Sequence, residues 1–272
     1  MVDLSGTCLG EIVRERYRRI GEARERTPFE SLKQRAESRS ERRDFAAALS
    51  RGPLRVIAEL KRASPSRGII RQDYQPAEIA RSYEAAGASA LSVLTEERYF
   101  LGSLDDFATA RGAVRLPVLR KDFILDEYQI YESVAAGADA LLLIVAALSD
   151  EDLRGFLEIC QSLRVAALVE IHDQFELERA LHAGARIIGV NNRDLKTLEV
   201  DLEVSYRVRP GIPTDITAVS ESGIKTREDL RRVREAGYQA VLIGEKFMAT
   251  PDPGGALREM LEGIAAPPTP QA

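Results

Sequence analysis

Short, mostly apolar runs punctuate the chain near 56–60, 91–95, 117–121, 140–145, 166–170, 187–191, 216–221 and 240–244. Longer segments with charged faces lie between them. Runs this short and continuous suit parallel strands covered on both faces. Eight strand–helix alternations predict an α/β fold, a single (β/α)8 TIM barrel. Residues 1–48 read as a helical N-terminal extension, 49–264 as the barrel, and 265–272, with three prolines, as a disordered tail.

A weak repeat agrees. Ala86-Gly87-Ala88, Ala136-Gly137-Ala138, Ala183-Gly184-Ala185 and Ala236-Gly237-Tyr238 each precede an apolar run, about two βα units apart. Each glycine suits the left-handed position that ends a helix. Ser149 with Asp152, Thr226 with Asp229, and Thr27-Pro28 with Glu30 read as helix starts.

Several apolar runs end in groups that a buried strand would not tolerate without reason. They are Glu59 and Lys61, Lys121, Glu170, Asn191 and Arg193, and Glu221 with Ser222. Period two places Glu59 with Lys61, and Asn191 with Arg193, on one face. Salt bridges inside a barrel would account for any one of them. Five strand ends together point to an active site on the C-terminal rim, where groups of mixed sign push their pKa values apart. Glu221-Ser222-Gly223-Ile224 and Ile243-Gly244-Glu245 follow the last two runs and could form a phosphate cup. Burial or cationic neighbours would lower a lysine's pKa and make it a better acid.

Composition narrows the class. Hydrophobic residues make up 44% and charged residues 30%, ordinary for a globular protein. A net charge of −5 argues against a nucleic-acid binder. In the extension, Arg14, Arg16, Arg18 and Arg19 are matched by Glu11, Glu15, Glu22 and Glu25, which reads as a solvated helix. Cys8 and Cys160 fit no metal or redox spacing and read as reduced thiols of a cytoplasmic protein. No signal-peptide pattern or membrane-length apolar stretch is expected.

The segment Ile57-Ala58-Glu59-Leu60-Lys61-Arg62-Ala63-Ser64-Pro65-Ser66-Arg67-Gly68 closely resembles the first-strand signature of indole-3-glycerol-phosphate synthases. Leu94-Thr95-Glu96, Leu119-Arg120-Lys121-Asp122-Phe123, Leu168-Val169-Glu170-Ile171-His172, Gly189-Val190-Asn191-Asn192-Arg193-Asp194-Leu195 and Ser220-Glu221-Ser222-Gly223-Ile224 follow in family order. The resemblance implies a ring closure in tryptophan biosynthesis, acting on a small phosphorylated aromatic substrate without cofactor or metal. It implies Lys121 as general acid with Lys61 nearby, Glu170 as base assisted by Glu59, and Glu221 holding the network. Asn191 and Arg193 would orient the substrate, with Ser64 and Ser222 touching it and Phe100, Phe123 and Leu195 walling its ring. Lys61 and the backbone of Gly223, Gly244 and Glu245 would hold the phosphate, with the Glu245 carboxylate in solvent. His172 reads either as a partner of Glu170 or as a loop hydrogen bond, and His182 as structural. A docking partner among tryptophan-pathway enzymes stays unassigned.

Rival readings are a phosphoribosylanthranilate isomerase-like barrel, a Schiff-base aldolase acting through Lys121, and a non-catalytic phosphate-metabolite binder. The isomerase needs a cysteine on strand one, where this chain has Glu59 and Lys61. A divalent metal on Glu59, Glu170 and Glu221 would compete with Lys61 and Lys121 for those carboxylates.

Overall fold

A computed structural model of the chain describes residues 7–50, 52 and 54–262. The tail at 265–272 and the side chain of Cys8 lie outside the described residues. Eight strands, β1 (Arg55–Leu60), β2 (Ala90–Leu94), β3 (Val118–Lys121), β4 (Ala140–Ile144), β5 (Ala166–Ile171), β6 (Ile187–Asn191), β7 (Thr217–Glu221) and β8 (Ala240–Ile243), close into one barrel. Every pair is parallel, and β1 joins β8.

Burial explains why such short segments suffice. Val56, Ala58, Leu60, Leu91, Val93, Leu141, Leu143 and Val169 point outward into the helical shell. Ile57, Leu119, Leu168 and Val219 fill the lumen. Gly87, Gly137, Gly184 and Gly237 all have φ between 92° and 101°, which a side chain would strain. Each ends a helix three residues before the start of an even strand, so the repeat marks alternate αβ loops as the pattern implies.

Ser149 and Thr226 cap their helices as expected, Thr226 in a full capping box with Asp229. Thr27 does not. It ends α1 (Cys8–Arg26), and α2 (Phe29–Ser38) starts at Pro28 without a side-chain cap. Thr27 is the C-cap of α1, its N–H donating to Ala23 O, and proline's fixed φ then turns the chain into α2.

The extension reaches both poles of the barrel. A third helix, α3 (Phe45–Ser50), runs across the boundary drawn at 48/49 and packs Phe45 and Leu49 into the barrel floor against β1, β2 and β7. At the opposite end, Leu9 and Ile12 of α1 join Phe100, Phe123 and Leu195. The solvated reading of α1 holds for Arg18, which pairs with Glu15 and Glu22, but fails for Arg16. Arg16 is 3% exposed and reaches across the interface to Asp122 (2.9 Å) and Glu97 (2.5 Å). Among the described residues no helix is long and apolar enough to cross a membrane.

One element is absent from the sequence expectation. After β1 the chain forms a two-stranded hairpin, Ala63–Ser64 against Gly68–Ile69, tethered to the loop after β2 by Ala63 N–H donating to Phe100 O. Two-residue strands carry no alternation to read. The signal was the turn chemistry of Pro65-Ser66-Arg67-Gly68, with Gly68 at φ 65°.

Candidate active site

The pairing register sorts inward-facing residues into layers. Moving two strands around and two residues up leads from Glu59 to Lys121, Glu170, Glu221 and back to Glu59. One layer, drawn from β1, β3, β5 and β7, is therefore charged throughout, where such barrels usually carry bulky branched side chains. The same walk places Ser92, Leu142, Gly189 and Leu242 beneath it, and Leu94, Ile144, Asn191 and Gly244 above.

The charged layer forms the floor of a 690 Å³ cleft at the C-terminal rim. Lys61, Phe100, Phe123, Arg193, Leu195, Ser222, Gly223 and Glu245 also line it, so the expected residues converge with one exception. Ser64 instead lines a 70 Å³ side pocket together with Leu9 and Ile12 of α1, its hydroxyl 3.4 Å from that of Ser66 within the hairpin turn. Phe123 belongs both to the cleft wall and to the packed core, with its ring centroid 6.2 Å from that of Phe100.

Within the layer, Lys121 Nζ lies 2.8 Å from Glu170 and 3.4 Å from Glu221. Lys61 Nζ lies 2.7 Å from Glu59. The expectation of a lowered lysine pKa is overturned. Burial works against the Lys121 charge, but the carboxylates of Glu170, Glu221 and Glu59 outweigh it and hold the ammonium above its ordinary value. Burial likewise works against Glu170 as an anion, yet Lys121 and His172 keep it below the usual carboxylate range. Glu221 behaves oppositely. Burial pushes its pKa up to about 7, helped by Glu170 and Glu59 and opposed by Lys121, and neither carboxyl oxygen has a hydrogen-bond partner.

Two glycines read as phosphate-cup or strand residues serve the carboxylates themselves. A Cβ on Gly189 would stand 2.0 Å from Glu221 Oε1, and one on Gly244 2.3 Å from Glu59 Oε1. At the rim, Ser222 (φ 64°) and Gly223 (φ 84°) turn the backbone after β7, and buried Asn192 donates to the carbonyls of Glu221 and Ser222. The Glu245 carboxylate does not stand free in solvent. It accepts from Arg67 Nε at 2.8 Å and lies 3.7 Å from Arg193. Two cations that would otherwise face each other across the cleft mouth draw it in.

Sequence reasoning passed over Arg67, Lys225 and Lys246, which add positive charge to the cleft lining. Arg67 stood inside the quoted signature, but nothing in its spacing marked it as site-facing. Leu9 and Ile12 carried no such mark either, since ordinary helical periodicity makes them core. Cys160 is buried in the helix Asp150–Ser162, its thiol pushed up to about 12 by burial, away from every strand end. His172 Nδ1 meets Glu176 at 3.0 Å, and Nε2 lies 3.5 Å from Glu170.

Residues 9–260 match the family model described as indole-3-glycerol phosphate synthase. The chain is 49% identical over 257 residues to the indole-3-glycerol phosphate synthase of Laribacter hongkongensis, covering 93% of this chain and 98% of that one. The enzyme of the same name from Chloroherpeton thalassium is 51% identical over 248 residues, covering 90% and 95%. Among solved structures, the N-acetylmannosamine-6-phosphate 2-epimerase of Clostridium perfringens superposes with a TM-score of 0.60 at 12% identity, over 77% of this chain and 93% of that one. At that identity the likeness concerns the barrel alone.

Proposed function

The chain belongs to the indole-3-glycerol phosphate synthase family, and from that premise we propose how its residues carry out the reaction. It is a carboxy-lyase of tryptophan biosynthesis. It converts 1-(2-carboxyphenylamino)-1-deoxyribulose 5-phosphate into indole-3-glycerol phosphate, CO2 and water. The observation that carries the assignment of roles is the Lys121 ammonium, held inside the barrel between Glu170 and Glu221.

The ring carbon bearing the carboxylate attacks the ribulose ketone, and negative charge develops on the ketone oxygen. Lys121 stabilises that charge and gives up its proton to it. A lysine with a raised pKa is a weak acid toward water, but an alkoxide is basic enough to take the proton, and a preorganised cation needs no reorganisation. The transfer strips Glu170 of its nearest positive neighbour, so the acid step strengthens the base. Loss of CO2 then returns an electron pair to the ring. Departure of the hydroxyl as water, with a proton from the Lys61–Glu59 pair, and removal of a proton from the adjacent sugar carbon by Glu170 complete the indole.

Asn191 and Arg193 orient the substrate, and Phe100, Phe123 and Leu195 enclose its aromatic ring. Lys61 and the backbone of Gly223, Gly244 and Glu245 hold the phosphate, and Arg67 leaves Glu245 to add a further cation. The same reading takes 1–48 as an extension on a barrel of 49–264 and sets the enzyme in the cytoplasm, without cofactor or metal.

The test follows indole fluorescence as purified protein meets the substrate. Lys121→Ala should abolish turnover while substrate still binds, and Cys160→Ala should leave turnover intact. Retention of most kcat by Lys121→Ala would remove it as the acid. A borohydride-trapped adduct would favour Schiff-base chemistry instead.

A further inference from the structure

Outside the residues that line the cleft, one titratable side chain faces the charged layer from behind. His172 follows β5 two residues after Glu170, and its side chain is 15% exposed. Glu176, on the next helix (Gln174–Ala183), accepts through a single oxygen, Oε2, both the His172 backbone N–H at 2.8 Å and ring Nδ1 at 3.0 Å. The shared acceptor fixes the ring. With Nδ1 donating to Glu176, Nε2 is buried without a hydrogen-bond partner and lies 3.5 Å from Glu170 Oε1. A bare Nε2 lone pair there would oppose a carboxylate, so the arrangement calls for protons on both nitrogens.

We infer that His172 is a positioning residue, an imidazolium that holds Glu170 ionised and aimed into the cleft. The inference rests on the reading of Glu170 as the base. Lys121, which also holds Glu170, loses its charge when it protonates the substrate. His172 does not, so Glu170 keeps one fixed cation behind it throughout the cycle. Lys121 from β3 and Glu221 from β7 face Glu170, with Glu59 of β1 contributing to the same field. Glu176 faces the ring, and Asp194 in the loop after β6 feels its charge. The electrostatics agree: burial would lower the His172 pKa, but Glu170 and Glu176 raise it to about 10.

Two measurements test this. The chain has only two histidines, His172 and His182, so a nitrogen-15 NMR titration resolves both. His172 should stay doubly protonated at pH 8, and a neutral ring there would overturn the inference. In steady-state kinetics His172→Gln should leave KM nearly unchanged. It should lower kcat about tenfold at every pH, because Glu170 is no longer held in its aim, and move the acid limb of the kcat profile up by about one pH unit, because the carboxylate loses a cation worth roughly that much. A merely structural histidine would lower the melting temperature without moving that limb. Glu170→Gln separates the two failures. If it keeps turnover, the base assignment falls. If it loses turnover while His172→Gln keeps both kcat and its acid limb, only the role of His172 falls.

Discussion

Gly189→Ala is a one-carbon test of whether catalysis depends on where Glu221 stands. Gly189 sits in the layer beneath the charged one, and an added Cβ would lie 2.0 Å from Glu221 Oε1 and 3.2 Å from Leu168 Cδ1. The carboxyl must retreat by at least about 1 Å to reach a tolerable contact. Its ion pair with Lys121, already 3.4 Å long, is the contact that yields. Displacements near 1 Å around a reacting centre cost about 100-fold in rate, and overpacking a full core costs roughly 1–3 kcal/mol. The variant should therefore show kcat down about 100-fold by indole fluorescence, KM within a few-fold, and a modestly lower midpoint in urea. Circular dichroism confirms that the barrel has formed. Wild-type kcat within threefold and an unchanged midpoint would refute the reasoning, because Glu221 would then tolerate displacement freely.

The raised Glu221 pKa sets a pH signature for stability. A carboxyl whose pKa goes from 4.5 to about 7 on folding adds stability below pH 4.5 and loses it as pH rises through about 7. The wild type should fall in melting temperature relative to Glu221→Gln over that window, and a constant difference from pH 4.5 to 8 would contradict the assignment. Arg16→Met leaves the carboxylates of Glu97 and Asp122 without their cation from α1, and urea denaturation should show a loss of about 3 kcal/mol. A loss below about 1 kcal/mol would mean that Arg120, 3.0 Å from Asp122, suffices as its cation.

The parts of the fold visible in the sequence were those with a period. The eight strands fall within a residue or two of their expected positions, because runs covered on both faces leave an unbroken apolar trace. The glycines at 87, 137, 184 and 237 mark left-handed turns that few other residues would fill. Glu59, Lys121, Glu170 and Glu221 stood out because charge in such a run is costly unless partnered. Arg16 did not, since a helix rich in Arg and Glu looks the same whether one arginine faces water or a buried aspartate 106 positions away. The room that Gly189 and Gly244 leave was equally silent, although Gly244 was legible as a phosphate-cup residue. Their purpose is room for side chains on neighbouring strands, which only the barrel's stagger brings alongside.

That stagger has a consequence for how the enzyme's acids and bases are counted. Glu59, Lys121, Glu170 and Glu221 close a circuit, each held two strands from the next, and within it Lys121, Glu170 and Glu221 share one field, so none of these three gains or sheds a proton without altering the others' preference. Chemically they are one polyprotic acid with three stations. Replacing any station re-titrates the other two, and single-variant rate losses will overlap rather than add. Protonation states then belong to the three as a whole, and only kinetics measured on paired variants across pH will reveal which stations exchange protons directly.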